Sequence, residues 1–472
     1  MKPSLLILGL ILSAALLPVT AGFAATADTM PAPPGAPKMA ARVKQEFLHA
    51  WNNYVRYAWG HDELRPLSRK PFDWYGQSLE MTPVDALDTL VIMGLKPQAA
   101  KDRALIDSKL SFDKDIYVKV FEVNIRLLGG LLSGYELTGD KRLLALAQDL
   151  GTRLLPAFNS PTGLPYRYVN LRTGAVRGVV SNPAETGTLI LEFGTLSKLT
   201  GNPVFYEKAK RALTETFKRR SPIGLVGDGI NVETGEWTDA DSHISGGIDS
   251  YYEYQLKCWK LFGDEDCHRM WEASISAIDK YLADNVNGEL WYGHADMHSG
   301  RRTATEYGAL DAYFPAELAL SGDLDRAKRL QTSSFKMWNL RGIEPDVLNY
   351  TTMQVVYPAY PLRPEIIEST YYLYHYTRDP YYRVMGQRMF DNFVKYCRTN
   401  NGYASLANVI TKQKTDAMES YLFAETFKYF YLLFAPPQIL DFDAVIFNTE
   451  GHPLKRLPRS GRKRTRYNKT KD

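Results

Sequence analysis

The chain has 472 residues, of which 45% are hydrophobic, 12% aromatic and 23% charged, with only three cysteines. Those proportions exclude a disordered, collagen-like or disulfide-stapled small protein and supply enough apolar material for a large core. The net charge of +4 is unevenly placed: residues 455–472 carry nine Lys/Arg against one Asp, so the rest is mildly acidic, which argues against a nucleic-acid-binding body.

In chain order, the first predicted element is an export signal over residues 1–24. Lys2 precedes the apolar run LLILGLILSAALL, and small residues follow around Ala21–Ala27. The run is short for a spanning helix, with an uncleaved anchor as the alternative. Residues 25–39, rich in Pro and Ala, read as a linker. Cys258, Cys267 and Cys397 cannot all pair within one chain, and Cys258, on an apolar helical stretch, reads as a buried thiol.

A four-residue signature then recurs: LTGD at Leu137, LTGN at Leu199, LFGD at Leu261, LSGD at Leu320 and YTRD at Tyr376, at intervals of 62, 62, 59 and 56 residues. A Gly or Asp in such a turn ends one helix and starts the next. The segment before each turn is apolar nearly all round, which predicts a buried inner helix; the segment after it has one polar face, which predicts an outer helix. Repeated helical hairpins of this length fit a closed α/α toroid better than an open solenoid, whose repeats run to about 33–47 residues. Seven inner helices are predicted, beginning near Asp85, Glu122, Glu185, Asp249, Leu310 (with Asp311 next), Glu365 and Glu425. If they run the same way, their carboxylates form a ring at one mouth. A single Asp or Glu at a helix start is ordinarily a cap or a dipole partner. A cluster of them at the starts of buried helices beside aromatics is what general acid/base chemistry on sugars requires.

These residues resemble the class I α-mannosidases, glycoside hydrolase family 47, from about Ala41 to Leu454. The matching blocks include FLHAWNNYVRYAWGHDELRP, DALDTLVIMGL, FEVNIRLLGGLLSGYELTGD, DSYYEYQLK, LRPEIIESTYYLY, ETFKYFYLLF and FNTEGHPL. SPIGLVGDGINVETGEW and LDAYFPAELALSGD are nearer the ER-degradation-enhancing mannosidase-like branch, here read as a bacterial member. The resemblance implies an all-α (α/α)7 barrel over residues 40–454 with a C-terminal β-hairpin plugging it, one bound Ca²⁺, and hydrolysis of terminal α-1,2-linked mannose with inversion. It implies Glu122 as general acid, Glu365 as general base, and Asp249 as a third catalytic carboxylate that is an alternative acid acting through water. Thr449 is implied as the one direct protein ligand of calcium, through hydroxyl and carbonyl. Glu185, Glu368, Glu425 and Glu450 are implied near the sugar or the calcium's waters, with Arg126 and Arg363 orienting acids and Tyr421 under the sugar ring. On this reading acidic neighbours raise the pKa of Glu122, and Arg363 keeps Glu365 ionised.

Two positions depart from the processing enzymes of that family: Gly247 stands where they carry arginine, and Ala309 or its neighbours where they carry histidine. That suggests a wider cleft. DADSHISG (Asp239–Gly246) lacks the sixth-position Gly and twelfth-position Glu of an EF-hand loop. His61, His243 and His452 read as structural. The implied partners are α-1,2-linked mannose oligosaccharides or glycoprotein glycans, met by a monomer in the periplasm or outside the cell, with the basic tail 455–472 as a solvated appendage or a contact for polyanions or membrane surface. The alternative is a mannose-glycan-binding or glycoprotein quality-control protein with little turnover.

Overall fold

The computed structural model describes residues 35–456. The expected signal, most of the linker and nearly all of the basic tail lie outside the described residues. Helix α1 (Ala36–Tyr57) begins four residues ahead of the boundary expected at 40, with Pro37 in its first turn, where a missing N–H is harmless.

Outer helices α1, α3 (Lys96–Lys109), α6 (Lys141–Leu154), α9 (Pro203–Lys218), α11 (Glu265–Tyr281), α13 (Leu324–Arg341) and α15 (Tyr381–Cys397) alternate with inner ones. The inner set is α2 (Met81–Ile92), α4 and α5 (Val120–Val123 and Gly129–Thr138, joined by a π-turn at Asn124–Leu128), α7 and α8 (Pro183–Gly187 and Ile190–Thr200), and α10 (Asp249–Phe262). It continues with α12 (Phe314–Ser321, after a 3-10 turn at Leu310–Tyr313), α14 (Glu365–Thr377) and α16 (Phe427–Phe434, after a π-turn at Leu422–Thr426). Each inner element packs on the next, and α16 with its π-turn returns to α2, so the ring of seven closes. The expected (α/α)7 barrel is thus formed.

The repeated turn signature explains the hairpins. Gly139, Gly201, Gly263 and Gly322 take the left-handed conformation that stops an inner helix. The next residue, Asp140, Asn202, Asp264 or Asp323, accepts an N–H from the first turn of the outer helix. The turn also corrects the cysteine reading. It folds the end of α10 against the start of α11, bringing Cys258 and Cys267 to 6.0 Å between Cα atoms, where they form a disulfide. Cys397 is the buried free thiol. The long connections between outer and inner helices hold small antiparallel sheets that the repeat pattern does not reveal.

The strands Val445–Phe447 and Pro453–Lys455 pair as a hairpin, buried apart from Lys455. Its tip lies among inner elements. Asn448 donates to Ile125 C=O at 2.9 Å and Glu192 at 2.8 Å. His452 sits between Asp88 (2.7 Å) and Asp85 (3.3 Å), and Lys428 pairs with Asp88 at 2.8 Å. A Cβ on Gly129 would lie 2.5 Å from Asn448 Nδ2, so only a bare backbone admits the tip against α5. The structural role expected for His452 is the one it has here, anchoring the hairpin.

Candidate active site

A cavity of about 290 Å³ opens where the starts of α4, α7, α10 and α14 meet the hairpin tip. Its lining includes Glu122, Glu185, Asp249, Glu365, Glu425 and Glu450, with Lys119, Arg126, Arg363, Tyr421 and Thr449. Ten of the eleven residues singled out from the sequence share this wall; Glu368 is the exception. A larger cavity of about 380 Å³, lined from the ends of α14 and α16, contains none of them.

The acid ring is less uniform than expected. Asp249 and Glu365 are the first residues of α10 and α14, and Glu122 and Glu185 lie in the first turns of α4 and α7. Asp85 instead sits inside α2, facing His452, and Asp311 accepts the Gly308 N–H within its own turn. Neither lines the cavity. Glu368 belongs to a buried cluster one helical turn down, where Lys257 reaches Glu253 at 2.5 Å, Glu317 at 3.4 Å and Glu368 at 3.7 Å.

Charge is distributed differently from the sequence expectation. Burial favours the neutral form of Glu122, yet Arg126 (3.1 Å) and Lys119 (3.4 Å) outweigh it and hold the carboxyl below its ordinary value. The expected elevation of Glu122 by acidic neighbours is therefore absent, because two cations stand closer. Glu365 moves the other way. Burial pushes it up to about 8, and its Oε2 has no hydrogen-bond partner. Arg363 does not prevent this, since its guanidinium is committed to Asp346 at 3.2 Å and only approaches Glu365 at 4.0 Å. Asp249 is pushed up to about 7 by burial, although it accepts the Ser250 N–H at 2.6 Å. Burial raises Glu425 and Glu450 as well, with Glu450 adding to the push on Glu425 and Asp85 to that on Glu450.

Arg126 also pairs with Glu450 of the hairpin and lies between the rings of Trp74 and Tyr421, so π-faces and carboxylates fix it together. Glu185 is fully engaged, accepting from Lys119 (2.9 Å), Arg167 (3.0 Å) and Ser181 (2.9 Å). Thr449 is held by its backbone: its N–H donates to Tyr254 Oη at 3.3 Å, and Tyr254 donates to Glu192 at 2.5 Å. Among the described residues, neither its hydroxyl nor its carbonyl takes part in a hydrogen bond. Gly247, at φ +98, faces Asp228, whose Oδ1 would lie 2.2 Å from any Cβ there; the site departs from arginine at that point for a steric reason.

Sequence reasoning missed Lys119, which ties Glu122 to Glu185. The available signal was a cation three residues before an acid at a strand-to-helix junction. It also missed Glu192, Tyr254 and Asn448, the buried network that presents Thr449; an acid within the apolar run ILEFG was the clue to it.

A closed α/α barrel with a carboxylate-lined cavity at the starts of its inner helices is an architecture of glycoside hydrolases, whose fold sugar epimerases share. The model of glycosyl hydrolase family 47 matches residues 46–456, and the chain belongs to that family, the class I α-mannosidases. It is 37% identical to the human "ER degradation-enhancing alpha-mannosidase-like protein 2", with 88% of this chain and 77% of that protein covered. Identity is also 37% to "Mannosyl-oligosaccharide 1,2-alpha-mannosidase MNS1" of Arabidopsis thaliana, over 89% and 79% of the two chains. Among solved structures, the "alpha-1,2-mannosidase from Trichoderma reesei" superposes with a TM-score of 0.83 at 28% identity, covering 89% of this chain and 99% of that one.

Proposed function

We propose that the protein is a calcium-dependent, inverting exo-α-1,2-mannosidase acting on terminal mannose of glycans in an exported setting. The observation that carries the reading is Thr449. Its hydroxyl and carbonyl, without partners among the described residues, belong to a residue bordering a cavity lined by six carboxyl residues and three cationic ones. That donor chemistry, oxygen from carboxyls, a hydroxyl and a carbonyl, fits a hard dication, which would displace protons held by the buried acids, and Thr449 is the residue that would hold it. When bound, Ca²⁺ supplies an oxygen-seeking centre for sugar hydroxyls.

The chain's own groups do the rest. Asp249 retains a proton up to about pH 7 and serves as the acid. Glu122, ionised between Lys119 and Arg126, is better placed to order the water that carries this proton than to donate one itself. Glu365 lines the cavity with one carboxyl oxygen unpartnered and takes the proton of the attacking water; its ionised form grows as the pH climbs through about 8. Tyr421 supplies a flat face in the cavity wall, beside Arg126. Family membership supports the linkage and the inversion. No helix among the described residues is long and apolar enough to cross a membrane.

The test is turnover of α-1,2-mannobiose with and without chelator, following the released anomer by NMR. Chelator-sensitive release of β-mannose supports the proposal. Binding without hydrolysis, insensitive to Glu122→Gln, identifies a glycan-binding protein instead.

A further inference from the structure

Beside the cavity, on the loop side of α10, lies a second constellation that the glycosidase reading does not use. The strand Asp241–Ser242 pairs antiparallel with His294–Asp296, with Ser242 opposite Ala295. Continuing that register sets His243 opposite His294. The two-residue period of a strand sets Asp241 and His243 on one face. The side chains confirm the meeting. His294 Nδ1 lies 2.6 Å from Asp241 Oδ2, the two imidazole rings are 4.5 Å apart, and one ligand atom from each of the three residues lies within 4.8 Å of the others.

We propose that Asp241, His243 and His294 form a binding site for a first-row divalent transition cation of the zinc class, separate from the Thr449 site. Two imidazoles and one carboxylate are the donor set such ions select, whereas Ca²⁺ takes oxygen alone. Ions of this class hold ligand atoms about 3 Å apart, given bonds of about 2.0–2.2 Å, so closure needs side-chain shifts of an ångström or so. The outer groups are arranged to support it. Thr303 donates to Asp241 Oδ1 at 2.7 Å, leaving Oδ2 for the ion. His243 is buried, with Asp228 3.8 Å from its Nε2. The ionic partners of Asp241 and Asp228 are the imidazoles of His294 and His243, groups that give up protons to take up a cation. Coordination replaces the hydrogen between Asp241 and His294, which moves to His294 Nε2. It also displaces the 3.2 Å bond from Ser245 N–H to His243 Nδ1.

The test is calorimetric titration of ZnCl₂ into the full chain held in saturating Ca²⁺, so that the Thr449 site plays no part. One Zn²⁺ per chain is expected. Affinity should fall at least 100-fold in the His243→Ala/His294→Ala double variant and by a smaller factor in Asp241→Asn. Zinc binding of equal strength by the wild type and the double variant overturns the proposal, as does absence of binding to the wild type. Co²⁺ absorption of the wild type keeps the question decidable if a variant misfolds. Strong visible ligand-field bands support an imidazole site, and a spectrum of hydrated Co²⁺ alone contradicts it.

Discussion

Two buried clusters on the hairpin and its neighbours treat charge in opposite ways. Beneath the tip, Asp85 and Asp88 face His452 and Lys428 and every charge has a partner. There Asp88 is held at about 2, because Lys428 and His452 overcome its burial, and His452 is raised to about 9 by Asp88 and Asp85 despite its own burial. At the cavity, Glu365 and Asp249 lack such close partners, and burial pushes their carboxyls up to about 8 and 7. The first cluster holds the fold. The second stores the protons that acid/base chemistry uses. Thr449 and Glu450 face the second while His452 anchors in the first, so one five-residue tip serves both.

This contrast can be broken from either side. The largest expected effect is at the cavity: Glu365→Gln should lower hydrolysis of α-1,2-mannobiose by about 10²–10⁴-fold while glycan binding and thermal stability stay measurable and near wild type. A large loss of stability would place Glu365 with the structural cluster. At the anchor, His452→Ala leaves Asp88 with Lys428 alone and Asp85 with only the more distant Arg126, and should cost about 3–5 kcal/mol of unfolding free energy, read by denaturant titration.

The same anchor predicts a pH dependence. His452 has a folded pKa near 9, against an ordinary value near 6.5, so its contribution is complete below about pH 6.5 and is lost as the pH rises through 9. That amounts to roughly 3 kcal/mol from this group, and the slope should be weaker in His452→Gln. Lys119→Met should raise the pKa of Glu122, moving one limb of the pH–rate profile upward; Lys119→Arg should restore it. A profile that does not move would make Lys119 a packing residue. The smallest effect is expected at a turn far from both clusters. Asp140→Ala removes a cap on α6 and should cost about 1 kcal/mol without changing turnover.

The barrel was legible in the sequence because its grammar is local. A Gly followed by Asp or Asn stops one helix and caps the next within a few residues, and the apolar and amphipathic segments on either side name the inner and outer layers. The site residues were legible through the family blocks, and ten of them share one cavity. Their protonation was not legible, because it depends on partners brought in by folding. Lys119 and Arg126 lie near Glu122 in sequence, but the commitment of Arg363 to Asp346 and the burial of Glu365 are tertiary facts. The disulfide was missed for a related reason: the spacing of Cys258 and Cys267 acquires meaning only once the turn between them folds α11 back on α10. His243 and His294 meet only through the register of two short strands that no helical pattern announces.

The most direct measurement is Ca²⁺ titration of the wild type and of Thr449→Val, with mannobiose turnover followed on the same samples. One Ca²⁺ per wild-type chain is expected, with affinity and turnover both lost in the variant while its helix content and melting temperature are unchanged. Equal Ca²⁺ binding by the variant, or full turnover by a chelated wild type, would contradict the assignment of the cavity as a calcium-dependent site built on Thr449.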